Sequence, residues 1–425
     1  MKNEHMYRKG TNLIYTRRQF FVFSLCFVIC VLLSVFCCLS SADAKIYIDI
    51  TDPGFRQIPL KINTEGSPDA NEVKWIAKGD LEKTGMFSFV SPGVPGAEVV
   101  ANINAEPSDK LKVVLTVTDL IENRELIKMR FVGAKSSFRL VAHRIADEIY
   151  RAMTGQKGIF RTKISYLVNV MPGRKELRMM DWDGYKPRKI VSRGLTPSQT
   201  WSRDGRSLMY SSERKRKWSI YRFDLDSYRE SVIFSSKGLN LVGGTSPAGL
   251  VSFSSSKDGS SEIYILDPYR KKLKKLTRSY GIDVSPAFSP DGKKIAFVSD
   301  RGGSPQIYIM NSDGKGRPKR LTFEGNYNTS PAWSPDGRSI VYVGKTNGKN
   351  QIFVVKSDGT DLRQLTNVGS NEGPSFSPDG YFIAFDSDRE GTRGIYIMRS
   401  NGETQKRITP KYVKAVSPEW SPYLK

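Results

Sequence analysis

Residues 285–322 read SPAFSPDGKKIAFVSDRGGSPQIYIMNSDGKGRPKRLT, residues 330–366 read SPAWSPDGRSIVYVGKTNGKNQIFVVKSDGTDLRQLT, and residues 373–409 read GPSFSPDGYFIAFDSDREGTRGIYIMRSNGETQKRIT. The serine that opens each turn falls at 289, 334 and 377, and again at 421 in SPEWSPYLK, a spacing of 43 to 45 residues. Each copy holds four short strand signals; in the first they are Pro286–Ser289, Lys294–Ser299, Gln306–Met310 and Lys319–Thr322. Alternation and β-branched or aromatic residues mark these as strands. S-P-D-G suits a tight reversal, because proline presets φ, aspartate caps the turn through its side chain, and glycine accepts positive φ. Four strands at this period are the signature of a propeller blade, which cannot bury both faces until it stacks on its neighbours around an axis.

Outward from these copies the repeat weakens. Ser202-Arg203-Asp204-Gly205 lies two periods before Ser289. Between them, Thr245-Ser246-Pro247-Ala248 reads as the opening of a third unit that has lost its turn, followed by Leu250–Phe253, Ser261–Leu266 and KKLKKLT. Residues 162–425 have room for six units of about 44. Lys163–Val168, Glu176–Met180 and Arg188–Val191 read as second, third and fourth strands without a first, and Ser417–Lys425 supplies a first strand alone. One blade built from both ends would close a six-bladed ring and remove its free edges.

Residues 45–157 lack the period and read as a small α/β domain, with the propeller over 158–425. Ile46–Ile50, Ile58–Ile62, Leu111–Val117 and Ile127–Phe131 are strand-like. A helix is predicted from Asp69 to Thr84, with Val73, Ile76, Ala77 and Leu81 as its apolar stripe and Gly85 as its stop. A second, over about Ser136 to Met153, lines up Phe138, Val141, Ile145 and Ile149. The first 44 residues carry Lys2, Arg8, Lys9, Arg17 and Arg18, then the apolar run Phe20–Leu39, then Ala42-Asp43-Ala44. That is the layout of a secretory signal peptide cleaved after Ala44; an uncleaved anchor is the alternative, since the run is long enough to span a bilayer. All four cysteines lie in this leader, leaving a mature chain without thiols, which suits an oxidising compartment. Cleavage leaves 61 basic and 41 acidic residues, a net charge of +20. Outside the cytoplasm that balance points to acidic protein partners or anionic envelope surfaces rather than nucleic acid, or simply to solubility.

Nothing in the pattern assembles an active site. His143 is the one histidine after the leader and sits mid-helix. No G-x-S-x-G elbow occurs, and Asp181-Trp-Asp-Gly184 lacks the twelve-residue ligand spacing of a calcium loop. The reading is therefore a non-enzymatic, cofactor-free, metal-free binding protein acting as a monomer, with an envelope glycan-binding or glycan-processing propeller as the alternative. In a four-stranded meander the first-to-second and third-to-fourth turns share one end, here with near-identical sequences that suggest a structural rim. The second-to-third turns and the blade crossovers share the other, and they diverge: Asp300–Ser304, Lys345–Lys349 and Asp388–Arg393 against Gly325–Asn328 and Gly369–Glu372. Divergent loops on a repeat scaffold are where recognition is expected. Arg214, Lys215, Arg216, Lys217 and Trp218 form the most basic stretch of that rim, a cation–aromatic cluster suited to an acidic partner.

Gly158-Ile-Phe-Arg-Thr-Lys-Ile-Ser-Tyr166, Asp181-Trp-Asp-Gly-Tyr185, the S-P-D-G blades and the ending Trp420-Ser-Pro-Tyr-Leu424 together resemble the TolB family, periplasmic propellers of the Tol–Pal envelope system, over essentially the whole mature chain. The resemblance implies binding of the lipoprotein Pal on the crossover face, where Thr245, Asp283, Tyr327, Asn328, Asn371, Glu372, Arg301 and Arg389 are the candidates. It also implies that Lys45, Ile46, Tyr47, Ile48, Asp49, Ile50, Thr51, Asp52, Pro53, Gly54 and Phe55 form a switch peptide that engages TolA or folds back. Other outer-membrane lipoproteins are further expected partners. The altered third blade and the basic second-blade loop depart from the family pattern, so neither inherits a role.

Overall fold

The structure, a computed structural model, describes residues 56–91 and 93–424. The expected leader, its cleavage site and the switch segment Lys45–Phe55 lie outside the described residues. The N-terminal part is one five-stranded sheet backed by two helices. Its strands are Ile58–Gly66 (β1), Phe87–Phe89 (β2), Val99–Ala105 (β3), Leu111–Asp119 (β4) and Arg124–Gly133 (β5), in the spatial order β2-β1-β3-β4-β5. β1 runs parallel to β2 and β3, while β3, β4 and β5 pair antiparallel. Helix α1 spans Asp69–Thr84, as its apolar spacing predicts, and ends on Gly85 at φ 66°. Helix α2 spans Phe138–Thr154 and ends on Gly155 at φ 71°. β2 and β3 were not legible: β2 is three residues long, and β3 buries alanines where bulkier residues would have shown the alternation.

The rest forms six four-stranded sheets among the described residues. The first blade combines Lys163–Met171, Arg174–Asp181 and Arg188–Val191 with the last strand, Ala415–Trp420, which pairs antiparallel with Lys163–Met171. The second to sixth blades begin at Leu195, Asn240, Asp283, Asn328 and Asn371. The ring is thus a six-bladed propeller closed by its C-terminal strand.

Two local readings need correction. The inner strands start earlier than the S-P dipeptide: in the fourth blade the strand is Asp283–Phe288, with a register shift between Val284 and Ala287. Ser285 sits there at φ 52°, as do Ser330 at 53°, Gly373 at 58° and Ser417 at 52° in their own blades. Each is followed by proline, so the dipeptide is a bulge that turns the inner strand along the channel. In the third blade the inner strand is Asn240–Thr245, and the turn is not lost. Ser246-Pro-Ala-Gly249 keeps it, the Gly249 amide donating to the Ser246 carbonyl at 3.0 Å as Gly292 does to Ser289 at 2.8 Å, and the loop is one residue shorter only after the glycine, the Ser246 amide bonding to Leu250 where that of Ser289 bonds to Lys294. Gly243 lies where a Cβ would fall 2.1 Å from the Pro286 carbonyl oxygen. Only glycine lets the fourth blade come so close.

The α/β layer stands on the S-P-D-G end, over the sixth and first blades. The Tyr150 hydroxyl donates to Asp379 Oδ2 of the sixth-blade turn at 2.7 Å, and Arg139 Nη2 donates to Asp183 Oδ2 at 2.9 Å. The Arg399 guanidinium donates to the carbonyls of Thr84 and Gly85, the C-terminal end of α1. Phe160 stacks edge-on between Tyr150 and Trp182. One apolar core runs from Leu60, Val113 and Ile145 through Phe160 and Trp182 to Phe382, Ile397 and Trp420.

Candidate binding surface

With one end of the ring occupied by the α/β layer, the opposite end carries the divergent loops. Its inner boundary is a belt of buried amides. Asn328 Nδ2 donates to Gln306 Oε1 of the preceding blade at 2.7 Å, and Asn371 Nδ2 does the same to Gln351 Oε1 at 2.8 Å. The threonine closing each L-T step completes the stitch: Thr322 Oγ1 donates to Gln306 Oε1 and Thr366 Oγ1 to Gln351 Oε1, both at 2.7 Å. The same two hydroxyls accept the amides of Ile307 and Ile352. These contacts satisfy groups that would be costly to leave unpaired in the interior.

Several of the docking candidates make contacts within the fold. Asp283, Asn328 and Asn371 are buried. Arg301 Nη2 donates to Asp283 Oδ2 at 2.7 Å, and Arg389 Nη2 donates to Asn371 Oδ1 at 2.9 Å. Both guanidiniums also lie over rings of their own blade, Phe297 and Tyr308 for Arg301, Phe385 and Tyr396 for Arg389. Thr245 is at the far end of its strand, its hydroxyl donating to the Trp201 carbonyl at 2.7 Å; Asn240 holds the position equivalent to Asn328. Arg301 is exposed and Arg389 partly so; Tyr327, partly exposed beneath Lys345 Nζ at 4.4 Å, and Glu372, paired with Arg393 Nη1 at 3.0 Å, also reach the surface.

The rim also presents a crown of exposed apolar groups in the crossovers, one of which, Phe323, has the Arg320 guanidinium over its ring at 5.0 Å. Tyr280 and Ile282 lead into the fourth blade, Phe323 into the fifth, Val368 into the sixth and Tyr412 into the last strand, and all are exposed. Large apolar groups clustered on one end of a soluble fold mark a contact surface. The signal is present in the sequence as one or two bulky residues between each L-T or I-T step and the next inner strand.

The second-blade loop divides in two. Arg214 is tied down: its guanidinium donates to Glu230 Oε1 at 2.6 Å and stacks 4.0 Å from the Tyr221 ring centroid. That hydrogen bond holds the Glu230 carboxyl below its usual range. Trp218 is half-buried. Lys215 and Arg216 form the two-residue tip at φ 52° and 61°, and with Lys217 they are exposed. The fifth blade makes the matching hairpin with Asn347-Gly348, the pair such a turn favours. Left-handed geometry in a lysine and an arginine costs about 1 kcal/mol or more each.

A family model described as the TolB beta propeller domain matches residues 150–424. The chain belongs to the TolB family of Tol–Pal system proteins. The curated Tol-Pal system protein TolB of Bordetella pertussis is 30% identical over 296 residues, covering 64% of this chain and 67% of that protein, and the Bordetella bronchiseptica protein of the same name is equally similar. Among solved structures, TolB from Acinetobacter baumannii superposes with a TM-score of 0.80 at 28% identity, over 87% of this chain and 98% of that one.

The axial channel of this TolB-family propeller, about 760 Å³, is lined by the S-P bulges and by one carboxylate among its lining residues, Glu419. Its carboxyl accepts from Thr200 Oγ1 at 3.3 Å, and burial pushes it up to about 8. A carboxyl raised in the folded state destabilises progressively as pH climbs from its unfolded value near 4.5 to the folded one. Glu419→Gln is therefore expected to match the parent protein in denaturant unfolding at pH 5 and to exceed it by roughly 1–3 kcal/mol at pH 8.5, channel water reducing the full linkage value. Equal differences at both pH values would show that the carboxyl titrates normally. Asp181 and Asp183 are engaged by Lys163 and Arg139 respectively, at 2.6 and 2.9 Å.

Proposed function

We propose that this protein is a periplasmic, non-enzymatic scaffold of the Tol–Pal system, linking the lipoprotein Pal to the inner-membrane protein TolA in support of outer-membrane integrity and constriction during division. The observation that carries this reading is the apolar crown of Tyr280, Phe323, Val368 and Tyr412 at the end of the ring opposite the α/β layer. Aromatic anchors around a channel mouth suit a protein ligand seated across several blades. Lys215, Arg216 and Lys217 add a cationic sector that steers an acidic partner and fixes its orientation. TolA is assigned to residues 45–55, whose alternation of isoleucine with polar residues suits addition to another protein's sheet edge.

The test is a crosslinked pull-down from intact envelopes, run with the full chain and with residues 45–55 deleted. The full chain is expected to recover an outer-membrane lipoprotein and an inner-membrane Tol component, and the deletion to lose the second while keeping the first. Recovery of neither rejects the assignment. Binding to isolated peptidoglycan or lipopolysaccharide that disappears in high salt would instead favour the glycan-binding reading, because a purely ionic contact is screened.

A further inference from the structure

The turns at the S-P-D-G end form a second ring, in which each glycine rests on the turn before it. A methyl group at Gly337 would lie 3.6 Å from Pro290 Cδ, one at Gly380 3.4 Å from Pro335 Cδ, and one at Gly292 3.0 Å from Pro247 Cδ. Gly205 closes on the last strand's turn in the same way, 2.5 Å from Leu424 Cδ2 and 3.5 Å from Pro422 Cγ. Gly249 breaks the series. A methyl group there would meet only Tyr269 Cε2, at 3.4 Å, a side chain of its own blade. Two sequence changes coincide at this seam: the third-blade turn is one residue short and has alanine for aspartate, and the second-blade turn has Arg203 where its counterparts have proline.

The result is a cavity of about 460 Å³ between the second and third blades. Met209 and Val251, both buried, form its floor with Ile233. Tyr269, 73% exposed, stands at its lip. The cations beside it are Arg203 and Arg222. Arg222 is partly committed, its Nε donating to Ser207 Oγ at 2.9 Å and its Nη2 lying 3.8 Å from Asp224 Oδ2. Asp204, the acid at the lip, is engaged by the Ser202 hydroxyl at 2.6 Å and the Arg206 amide at 3.0 Å, which hold its carboxyl low. Arg203 is exposed and forms no ion pair among the described residues.

We propose that this open seam is a second docking site, distinct from the crossover rim, for an extended segment of a partner protein that buries one apolar side chain and sets a neighbouring carboxylate against Arg203. The cavity is the size of a single large side chain and its immediate backbone. Its floor is apolar, its lip offers an aromatic ring for stacking, and its lining sets two arginines, Arg203 and Arg222, against the one carboxylate of Asp204, so an acidic flank is favoured over a basic one. The site shares no residue with the apolar crown, so it stands or falls separately from the Pal-binding reading.

The experiment is a titration of the full chain, followed by methyl NMR of Met209, Ile233 and Val251, with two probes: acetyl-Phe-Asp-amide and acetyl-Phe-Lys-amide. The acidic probe is expected to give saturable shifts at these three methyls with ~5-fold tighter binding than the basic one at low salt. Arg203→Gln, a surface substitution, should bring the two probes to equal affinity, and Tyr269→Ser should weaken both. Absence of saturable shifts at the three methyls, equal affinity of both probes for the parent protein, or a preference that survives Arg203→Gln each overturns the proposal.

Discussion

A chain ending at Lys414 will show no cooperative thermal transition and will bind hydrophobic dye. The strand it lacks, Ala415–Trp420, is stitched to three blades at once. Within the first blade it pairs with Lys163–Met171, and the Trp420 indole donates to Thr162 Oγ1 at 2.8 Å. Towards the sixth blade, the Trp420 amide donates to Ser375 Oγ at 3.0 Å and the Ser417 amide to Asp386 Oδ2 at 2.8 Å. Towards the second, Gln199 Nε2 donates to the Ser417 carbonyl at 2.6 Å and Trp201 Nε1 to the Glu419 carbonyl at 3.0 Å. Trp420 is 4% exposed and belongs to the core that joins ring and α/β layer. Truncating one such tryptophan to alanine costs about 3–5 kcal/mol, against a total stability on the order of 5–15 kcal/mol for a folded protein. Deleting the whole strand also leaves the edge of Lys163–Met171 unpaired and strips contacts from the two neighbouring blades. The graded version is Trp420→Ala, expected to stay folded but lose about 3–5 kcal/mol in denaturant unfolding. A truncated chain that melts like the parent would mean the ring does not depend on its closing strand.

The second large effect is on binding. Replacing Tyr280, Phe323 and Tyr412 together by serine should weaken capture of the lipoprotein's soluble domain by a factor on the order of 100 or more, since buried aromatic anchors are often worth about 2 kcal/mol each. All three side chains are exposed in the free protein, so folding stability should change by no more than about 0.5 kcal/mol per site. Tyr269→Ser, at the opposite end of the ring, serves as the control and should leave this affinity unchanged. Isothermal titration of the parent and both variants decides it. An unaltered affinity in the triple variant removes the crown as the docking surface.

The blades were legible because their turns depend on residue type. S-P-D-G is nearly the same chemistry in three copies, and four strands at a fixed spacing leave little choice of architecture. Helix α1 was equally plain, since Val73, Ile76, Ala77 and Leu81 alternate with polar positions and Gly85 ends it. The inner strands begin three residues before the proline that reads as a strand boundary, because Ser285-Pro286 is a bulge inside the strand. The third-blade turn is hidden in the sequence because Ala248 does not resemble aspartate, although the glycine amide bonds back to the serine carbonyl as in its neighbours. Three of the binding candidates lie deeper than their place in the sequence suggests, for a different reason. Asp283, Asn328 and Asn371 open the inner strands at the correct end of the ring, but a polar residue at a strand start looks the same whether it faces solvent or stitches two blades. Only the partner side chains distinguish the two cases: Gln306 and Gln351 on the blade before for the asparagines, and Arg301 of the same blade for Asp283.

The parallel pairing of β1 has a mechanical consequence. β1 is the first described strand, it lies between β2 and β3, and it runs in the same direction as both. Tension entering through Arg56 along the strand axis loads these ladders in shear, so their bonds share the load instead of being peeled one by one. Behind them, Arg399 and Tyr150 fasten the layer to the sixth blade and Phe160 wedges it against Trp182 of the first. Load on β1 is thus passed to the sixth and first blades, the two that the C-terminal strand joins.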